Sequence, residues 1–382
     1  MSYHTIMSHH KIKELVYLLD TWLSAPTDKV QIQDWLNSAN SIVDTFEFSE
    51  RDQAYVDTML DMYEEQFEQM ILLQTPQQIP IQYLDELLGK TQTEQRTEAW
   101  YKQMSTIISA SELGNLFASP YQRSKFVVAK SQPYQPRQQD TAIPSSRMSA
   151  FDWGIRFEPV VKQIYEYKYG CTVKELGRLT HPMDTRCAAS PDGLVYHCPE
   201  GKRQGRLIEI KCPVSREIDG SVPKDYYHQM QMQLHVTGLQ LCDYVEASFE
   251  SVYNGTVKKK DGVSLYHGYI ALMRYEKPTN GQEFYYVYSP VNSDASWSPI
   301  VDSEEDLIEI IPWNLYKWNE QIIERSEDWW KTTHPLIEAF WQDVERHKRG
   351  EFTVLESNRP VKKMKPAEKC MITFTRMDYT TV

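Results

Sequence analysis

Arg206-Leu207-Ile208-Glu209-Ile210-Lys211 reads as a strand with a carboxylate and an ammonium set among apolar residues. Strand side chains alternate faces with period two. Leu207, Glu209 and Lys211 therefore share one face, and Ile208 and Ile210 the other. Upstream lies Ser190-Pro191-Asp192-Gly193-Leu194, an acid at a turn between the apolar runs Cys187–Ala189 and Leu194–Tyr196. Pro-Asp-Gly is an ordinary turn signature. Asp192 stands out because a hairpin with the next strand brings it towards Glu209. Two carboxylates there are hard oxygen ligands for Mg²⁺ or Mn²⁺, and the Ile210 backbone carbonyl adds a third oxygen. Phosphodiester hydrolysis needs these parts. A metal neutralises phosphate charge and lowers the pKa of a bound water, while Lys211 positions that water or stabilises the phosphorane.

A third acid, Glu158, lies in Gly154-Ile155-Arg156-Phe157-Glu158-Pro159. We place it in the first turn of a helix over 154–169, where an acid suits the helix dipole and proline is tolerated. A second helix over 225–237 opens with Tyr226-Tyr227-His228-Gln229-Met230-Gln231-Met232-Gln233. Its Gln229 and Gln233 share a face at i, i+4, where an amide can hold a water or a phosphate.

Outward from this centre, charge divides the chain. The net charge is −12, which looks wrong for a nucleic-acid binder. Residues 1–99 hold 17 acidic residues against 6 basic ones, and the rest is balanced at 36 against 35. Basic stretches stand outside the acidic quarter. One is Arg123, Lys125, Lys130, Arg137 and Arg147, and another runs from Arg346 to Lys369. Either can hold phosphates within an acidic protein. Aromatic residues reach 12%, and hydrophobic residues, at 41%, suffice for a large core. No apolar run approaches the ~18 residues of a bilayer span, and Met1–His10 lacks a secretory pattern. The cysteines lack a CxxC pair. This points to a reducing intracellular setting and against a zinc site at Cys187, His197 and Cys198.

The fold expected is α/β: a central mixed β-sheet flanked by helices, with an α-helical N-terminal extension. Residues 1–95 read as acidic and helical, punctuated by Pro26, Pro76 and Pro80. Residues 96–300 read as the α/β core, with further strands at Tyr244–Phe249, Tyr266–Arg274 and Glu283–Tyr288. The polar, proline-rich 131–146 reads as a loop. Residues 301–382 read as a Trp-rich helical region, spanning 303–349, and a basic tail.

The order of motifs resembles the lambda-exonuclease-like, YqaJ-type viral recombinase branch of the PD-(D/E)XK nucleases, from Trp100 to about Phe249. The likeness runs through Ala99-Trp100-Tyr101-Lys102, Ser109-Ala110-Ser111-Glu112, Gly154…Glu158, Ser190-Pro191-Asp192-Gly193-Leu194, Glu209-Ile210-Lys211-Cys212-Pro213 and Tyr226…Gln229-Met230-Gln231. It implies a restriction-endonuclease-like core and a two-metal site of Asp192, Glu209 and the Ile210 carbonyl, with Glu158 at the second ion. Lys211 orients the water, Gln229 lies near the active site, and Ser109, Ser111 and Ser190 lie near the DNA-end phosphates. The implied activity is 5′ to 3′ degradation of one strand of duplex DNA. A single-strand annealing partner and a homo-oligomeric ring go with it. Where the family carries a phosphate-gripping arginine, this chain has Met104, and Lys102, Arg123 and Arg147 are the substitutes considered. An endonuclease or RNA-cleaving enzyme, or a non-catalytic DNA-binding protein, are the other readings.

Overall fold

The computed structural model describes residues 3–74, 79–90, 97–133, 148–279, 282–300 and 307–355. The helices are α1 (Tyr3–Trp22), α2 (Lys29–Val43), α3 (Glu50–Gln74), α4 (Ile81–Gly89), α5 (Glu98–Gln103), α6 (Gly114–Phe117), α7 (Pro120–Ser131), α8 (Ala150–Tyr169), α9 (Lys224–Thr237) and α10 (Glu327–Lys348). The strands are β1 (Ile108–Ser109), β2 (Thr172–Lys174), β3 (Leu179–Thr180), β4 (Cys187–Ala189), β5 (Gly193–His197), β6 (Leu207–Lys211), β7 (Leu241–Glu250), β8 (Val252–Tyr253), β9 (Thr256–Val257), β10 (Tyr266–Thr279), β11 (Gln282–Tyr288) and β12 (Leu307–Glu324). No described helix is long and apolar enough to cross a membrane.

The central sheet has seven strands in the order β11-β10-β12-β7-β6-β5-β2. Its β6–β7 pair is parallel and the others are antiparallel. Parallel neighbours require a crossover, and α9 supplies it. A smaller sheet, β1-β4-β3, stands beside it.

Two apolar layers sandwich the sheet. Ile208 and Ile210 pack with Phe157, Val161 and Ile164 of α8 on one side. Leu207 packs with Met230 and Leu234 of α9 on the other. The period-two reading of β6 therefore holds, and Glu209 faces α9. Behind the site, buried Asp243 of β7 accepts from Arg203 at 2.7 Å and Arg206 at 3.0 Å, and Arg206 also donates to the Leu72 carbonyl at 2.9 Å. That pairing ties β7 to the end of α3.

Three boundaries differ from the sequence reading. Residues 307–324 are a central strand rather than helix. Ile311, Trp313 and Leu315 are buried at period two, a strand signal that the density of tryptophans obscured. Among the described residues of the expected 303–349 helix, Glu327–Lys348 are helical. The N-terminal apolar cluster runs from Leu15 to Ile71, whereas Leu84 and Leu87 of α4 pack into the main core. The extension is thus α1–α3. It docks through Lys29 to Glu324 at 2.9 Å and through a two-way bond between Gln69 and the Ile322 backbone, at 3.0 and 2.8 Å. The expected loop lies largely outside the described residues, as does the basic tail beyond residue 355.

Imidazoles stack between α9, α10 and the loop after β3. His181 lies 4.4 Å from Trp330 and His235 lies 5.0 Å from it, ring centre to ring centre. His181 Nδ1 accepts from the backbone N–H of Met183 at 3.1 Å and of Asp184 at 3.2 Å, so this nitrogen must stay unprotonated. Burial lowers the pKa of both rings. A folded-state pKa below the unfolded value of about 6.5 means stability that is present above that pH and lost as pH falls below it. The melting temperature is therefore expected to fall between pH ~6.5 and ~5. His181→Asn, whose side-chain oxygen can accept the same bonds, should flatten that slope. An unchanged slope in scanning calorimetry would remove His181 from the account.

Candidate active site

The site is assembled where the turn before β5 and the strand β6 meet α8 and α9. Asp192 sits at the turn before β5. Its backbone N–H donates to the Ile208 carbonyl at 3.1 Å, and its Oδ2 accepts from the Ile210 N–H at 2.7 Å. The turn is thereby clamped against β6. Gly193 is needed there, because an added Cβ would lie 2.6 Å from Val173 Cγ1. Glu209 is fully buried. Its Oε1 pairs with Lys211 Nζ, and its Oε2 accepts from Gln233 Nε2 at 2.6 Å.

Burial raises the Asp192 pKa well above the usual carboxylate range, and the charges of Glu209 and then Glu158 raise it further. Three acids thus crowd one locus. Burial opposes the Lys211 ammonium, but Glu209 and Asp192 outweigh it and hold its pKa above the ordinary value. Lys211 therefore stays charged at neutral pH.

Glu158 is where the sequence placed it relative to the site, but not within its helix. Ser149 and Asp152 form a reciprocal capping box, so α8 begins at Ala150. Glu158 then lies in the helix interior, and the dipole explanation for it falls. Pro159 is interior too, and removes the donor that would pair with the Ile155 carbonyl. Glu158 pairs with Lys162 at 2.9 Å.

These groups line an open cleft of about 1220 Å³, with Asp192, Glu209, Ile210, Lys211, Glu158 and Gln229 among its walls. Small-molecule pockets run to roughly 1,000 Å³, so the space suits a segment of polymer. Ser109, Ser111 and Ser190 also line it. Ser109 is committed locally, its N–H and Oγ both reaching Glu112 Oε2, at 3.0 and 2.7 Å.

Of the basic residues expected from sequence to hold phosphate, Lys130 is the one among the described residues that lines the cleft. Lys102 is exposed and does not line it. Arg123 faces α10 and pairs with Asp343 at 2.8 Å. Arg147 lies outside the described residues. Beside Lys130 the cleft wall holds Arg178, and both are buried. Arg178 Nη2 lies 3.0 Å from Met104 Sδ, and its guanidinium lies 4.0 Å from the Trp100 ring. Lys130 pairs with Glu112 at 2.9 Å. Burial pushes the Arg178 pKa down to about 10 and lowers that of Lys130, partly offset by Glu112. Glu112 alone offsets two cations here. Arg178 was missed because it sits in a short link between β2 and β3, far in sequence from every motif. Gln233 was noted for sharing a face with Gln229; its bond to Glu209 needed the packing of α9 on β6.

Among the described residues, no three His, Cys, Asp or Glu side chains surround a common point closely enough to enclose a metal alone. Mg²⁺ does not require that. It keeps several waters and is commonly held by one or two carboxylates plus substrate phosphates. Asp192, Glu209 and the Ile210 carbonyl fit such a partial, all-oxygen shell. Gln233 Oε1 is buried beside Glu209 without a hydrogen-bond partner, and an ion's hydration water would be a donor for it.

Known proteins resemble the chain in part. It is 25% identical over 303 residues to an uncharacterized protein of Acanthamoeba polyphaga mimivirus, covering 68% of this chain and 54% of that one. It is 28% identical over 188 residues to a protein of African swine fever virus, covering 42% of this chain and 52% of that one. The chain thus spans about half the length of the curated relatives it matches. Among solved structures, an alkaline exonuclease from Laribacter hongkongensis aligns at 20% identity and a TM-score of 0.40, over 66% of this chain and 95% of that one. A phage-related exonuclease from Haemophilus somnus 129PT aligns at 12% identity and a TM-score of 0.32, over 72% and 97%. The sequence profile of one family, the YqaJ-like viral recombinase domain, matches residues 99–240, so the stretch that carries Glu158, Asp192, Glu209, Lys211 and Gln229 is similar to that domain.

Proposed function

We propose that this protein is a divalent-metal-dependent nuclease that degrades duplex DNA from an end, 5′ to 3′. The observation that carries the reading is the meeting of Asp192, Glu209 and a charged Lys211 on the wall of an open, polymer-sized cleft. Mg²⁺ or Mn²⁺ would be held by Asp192, Glu209 and the Ile210 carbonyl, with Glu158 serving a second ion directly or through water. The chemistry such ions supply is charge neutralisation on the phosphate and a lowered pKa for a bound water.

The chain's own groups do the rest. Lys211 donates to the attacking water or to the phosphorane oxygens. Gln233 fixes Glu209, so that carboxylate cannot rotate away. Gln229, one turn earlier on α9, faces the scissile phosphate. Arg178 and Lys130 take a terminal phosphate, with Arg178 restoring the positive charge that Met104 lacks. A 3′ single-stranded product would suit a single-strand annealing partner, and a ring of subunits would keep the duplex threaded.

The test uses linear duplex DNA with and without a 5′ phosphate, beside closed circular DNA, in Mg²⁺ and in EDTA. Mg²⁺-dependent loss of the 5′-labelled linear strand is expected, with the circle intact. Arg178→Met should reduce the preference for phosphorylated ends by about tenfold, the value of one charge-assisted contact of ~1.4 kcal/mol. Cutting of the circle would make the protein an endonuclease. Cleavage of RNA alone, or binding without cleavage, would overturn the reading.

A further inference from the structure

Past the end of β7 the chain forms a small arm, and its sequence dictates its shape. β8 and β9 pair across Asn254-Gly255, whose φ angles are +52° and +71°. Two consecutive positive φ values at Asn-Gly are the signature of a tight two-residue hairpin turn. Such a turn is stiff, and this one is bolted down. Asn254 exchanges bonds with both backbone groups of Met148, Nδ2 donating to the carbonyl at 3.0 Å and Oδ1 accepting from the N–H. Arg156 donates to the Val252 carbonyl at 2.9 Å. The Tyr253 ring meets Trp153 edge-on at 5.6 Å. Met148, Trp153 and Arg156 belong to the start of α8 and the residues just before it, and Phe151, Ile155 and Glu158 of that helix line the cleft. The arm is therefore mounted on α8, the helix that supplies part of the cleft wall, through the side of it that faces away from the cleft.

Directly after β9 come Lys258, Lys259 and Lys260, within a chain of net charge −12. Lys258 and Lys259 are exposed and Lys260 is half-buried. Lys258 Nζ lies 5.3 Å from the centre of the Tyr253 ring, a contact that steers the side chain without neutralising it. The carboxylate bonded to this segment, Glu250, accepts from the Lys260 backbone N–H at 3.1 Å rather than from an ammonium. Asp261 follows and is exposed. Lysines on a stiff mount lose less freedom on binding an anion than lysines on a loose loop.

We propose that this lysine arm, residues 252–260, is a docking surface for the sugar–phosphate backbone of duplex DNA lying in the cleft. The inference rests on the nuclease reading above and adds a contact outside the matched family domain, which ends at residue 240. Strand register gives its reach. Lys211 pairs with Glu246 on the parallel β7, and Glu250 lies four residues further on. At ~3.3 Å per residue that is ~13 Å, or about four base pairs of duplex at ~3.4 Å each. For a duplex lying along the strand direction, the lysines meet phosphates about four to six base pairs from the scissile one. Charge complementarity selects the occupant, since clustered ammonium groups attract phosphates and carry no base-reading geometry.

The experiment compares wild type with the Lys258→Ala/Lys259→Ala/Lys260→Ala protein. The affinity for a labelled linear duplex long enough to span cleft and arm is followed by anisotropy over a series of salt concentrations in EDTA. Each lost phosphate contact lowers the slope of log affinity against log salt by ~0.9. The variant should lose about two to three units of slope and bind at least tenfold more weakly at moderate salt. Its hydrolysis of bis(p-nitrophenyl) phosphate in Mg²⁺ should match wild type, because no catalytic residue is touched. An unchanged slope in the variant, with wild type binding and cutting DNA, would overturn the arm and leave the nuclease reading intact. Wild type that neither binds nor cuts DNA would sink both.

Discussion

Asp192→Asn is expected to abolish cleavage and to raise the melting temperature of the metal-free protein. Both effects come from one feature. Asp192 is half-buried beside two carboxylates, and desolvation together with Glu209 and Glu158 raises its pKa well above normal. For an acid with a raised folded-state pKa, the ionised form costs stability at every pH above the unfolded value of about 3.9. Asparagine removes that charge and keeps an oxygen for the Ile210 N–H, now 2.7 Å from Oδ2. A gain on the order of 1 kcal/mol is the scale on which functional residues trade stability for activity. Loss of an anionic metal ligand removes several kcal/mol of charge stabilisation in the transition state, so the rate should fall by about 10³-fold or more. Calorimetry and single-turnover cleavage read the two effects independently. A variant that melts lower and still cleaves would refute the placement of Asp192.

Lys211→Met is the second large effect, and here activity and stability fall together. The change leaves the fully buried Glu209 with Gln233 as its remaining partner. Breaking a buried ion pair from one side costs ~3–5 kcal/mol. The Lys211 side chain is 23% exposed, so the lower end of that range applies. The cleavage rate should drop by about 10³-fold, the scale of a lost charge-stabilising donor. The Glu209→Gln/Lys211→Met double variant should regain much of the stability, since both charges leave together, and none of the activity. Denaturant midpoints that do not recover in the double variant would show that Lys211 matters through packing rather than pairing.

The centre of this site was legible in the sequence because strand periodicity is rigid. One alternation put Leu207, Glu209 and Lys211 on a common face, and one turn brought Asp192 towards Glu209; the clamp on the Ile210 N–H came only with the structure. Helix boundaries were less legible. Ser149 and Asp152 set the true start of α8 ahead of Gly154, a Ser-x-x-Asp pattern that the reciprocal bonds between them bear out. β12 was misread because its tryptophans suggested a helical tail, while burial at Ile311, Trp313 and Leu315 followed a strand. Arg178 and Lys130 were invisible as a pair, for they lie 48 positions apart and meet only through the fold around Met104. Long-range convergence of single residues leaves no local pattern to read. The Asn254-Gly255 hairpin did carry a local signal, but its value lies in its mounting on α8, which no spacing announces.

The most direct test is single-turnover cleavage of a 5′-labelled linear duplex as Mg²⁺ is varied, with enzyme in excess, for wild type and Glu209→Gln. Glutamine preserves the size of residue 209; the oxygen it keeps can accept from Lys211, and Gln233 can turn its amide to accept from the new NH2 group, so the packing survives while the negative charge is lost. The predicted result is saturable Mg²⁺ dependence in wild type, no cleavage in EDTA, and no cleavage by Glu209→Gln at any Mg²⁺ concentration. Wild-type cleavage that persists in EDTA, or a Glu209→Gln protein that cleaves with an unchanged Mg²⁺ dependence, would contradict the metal site on which the account rests.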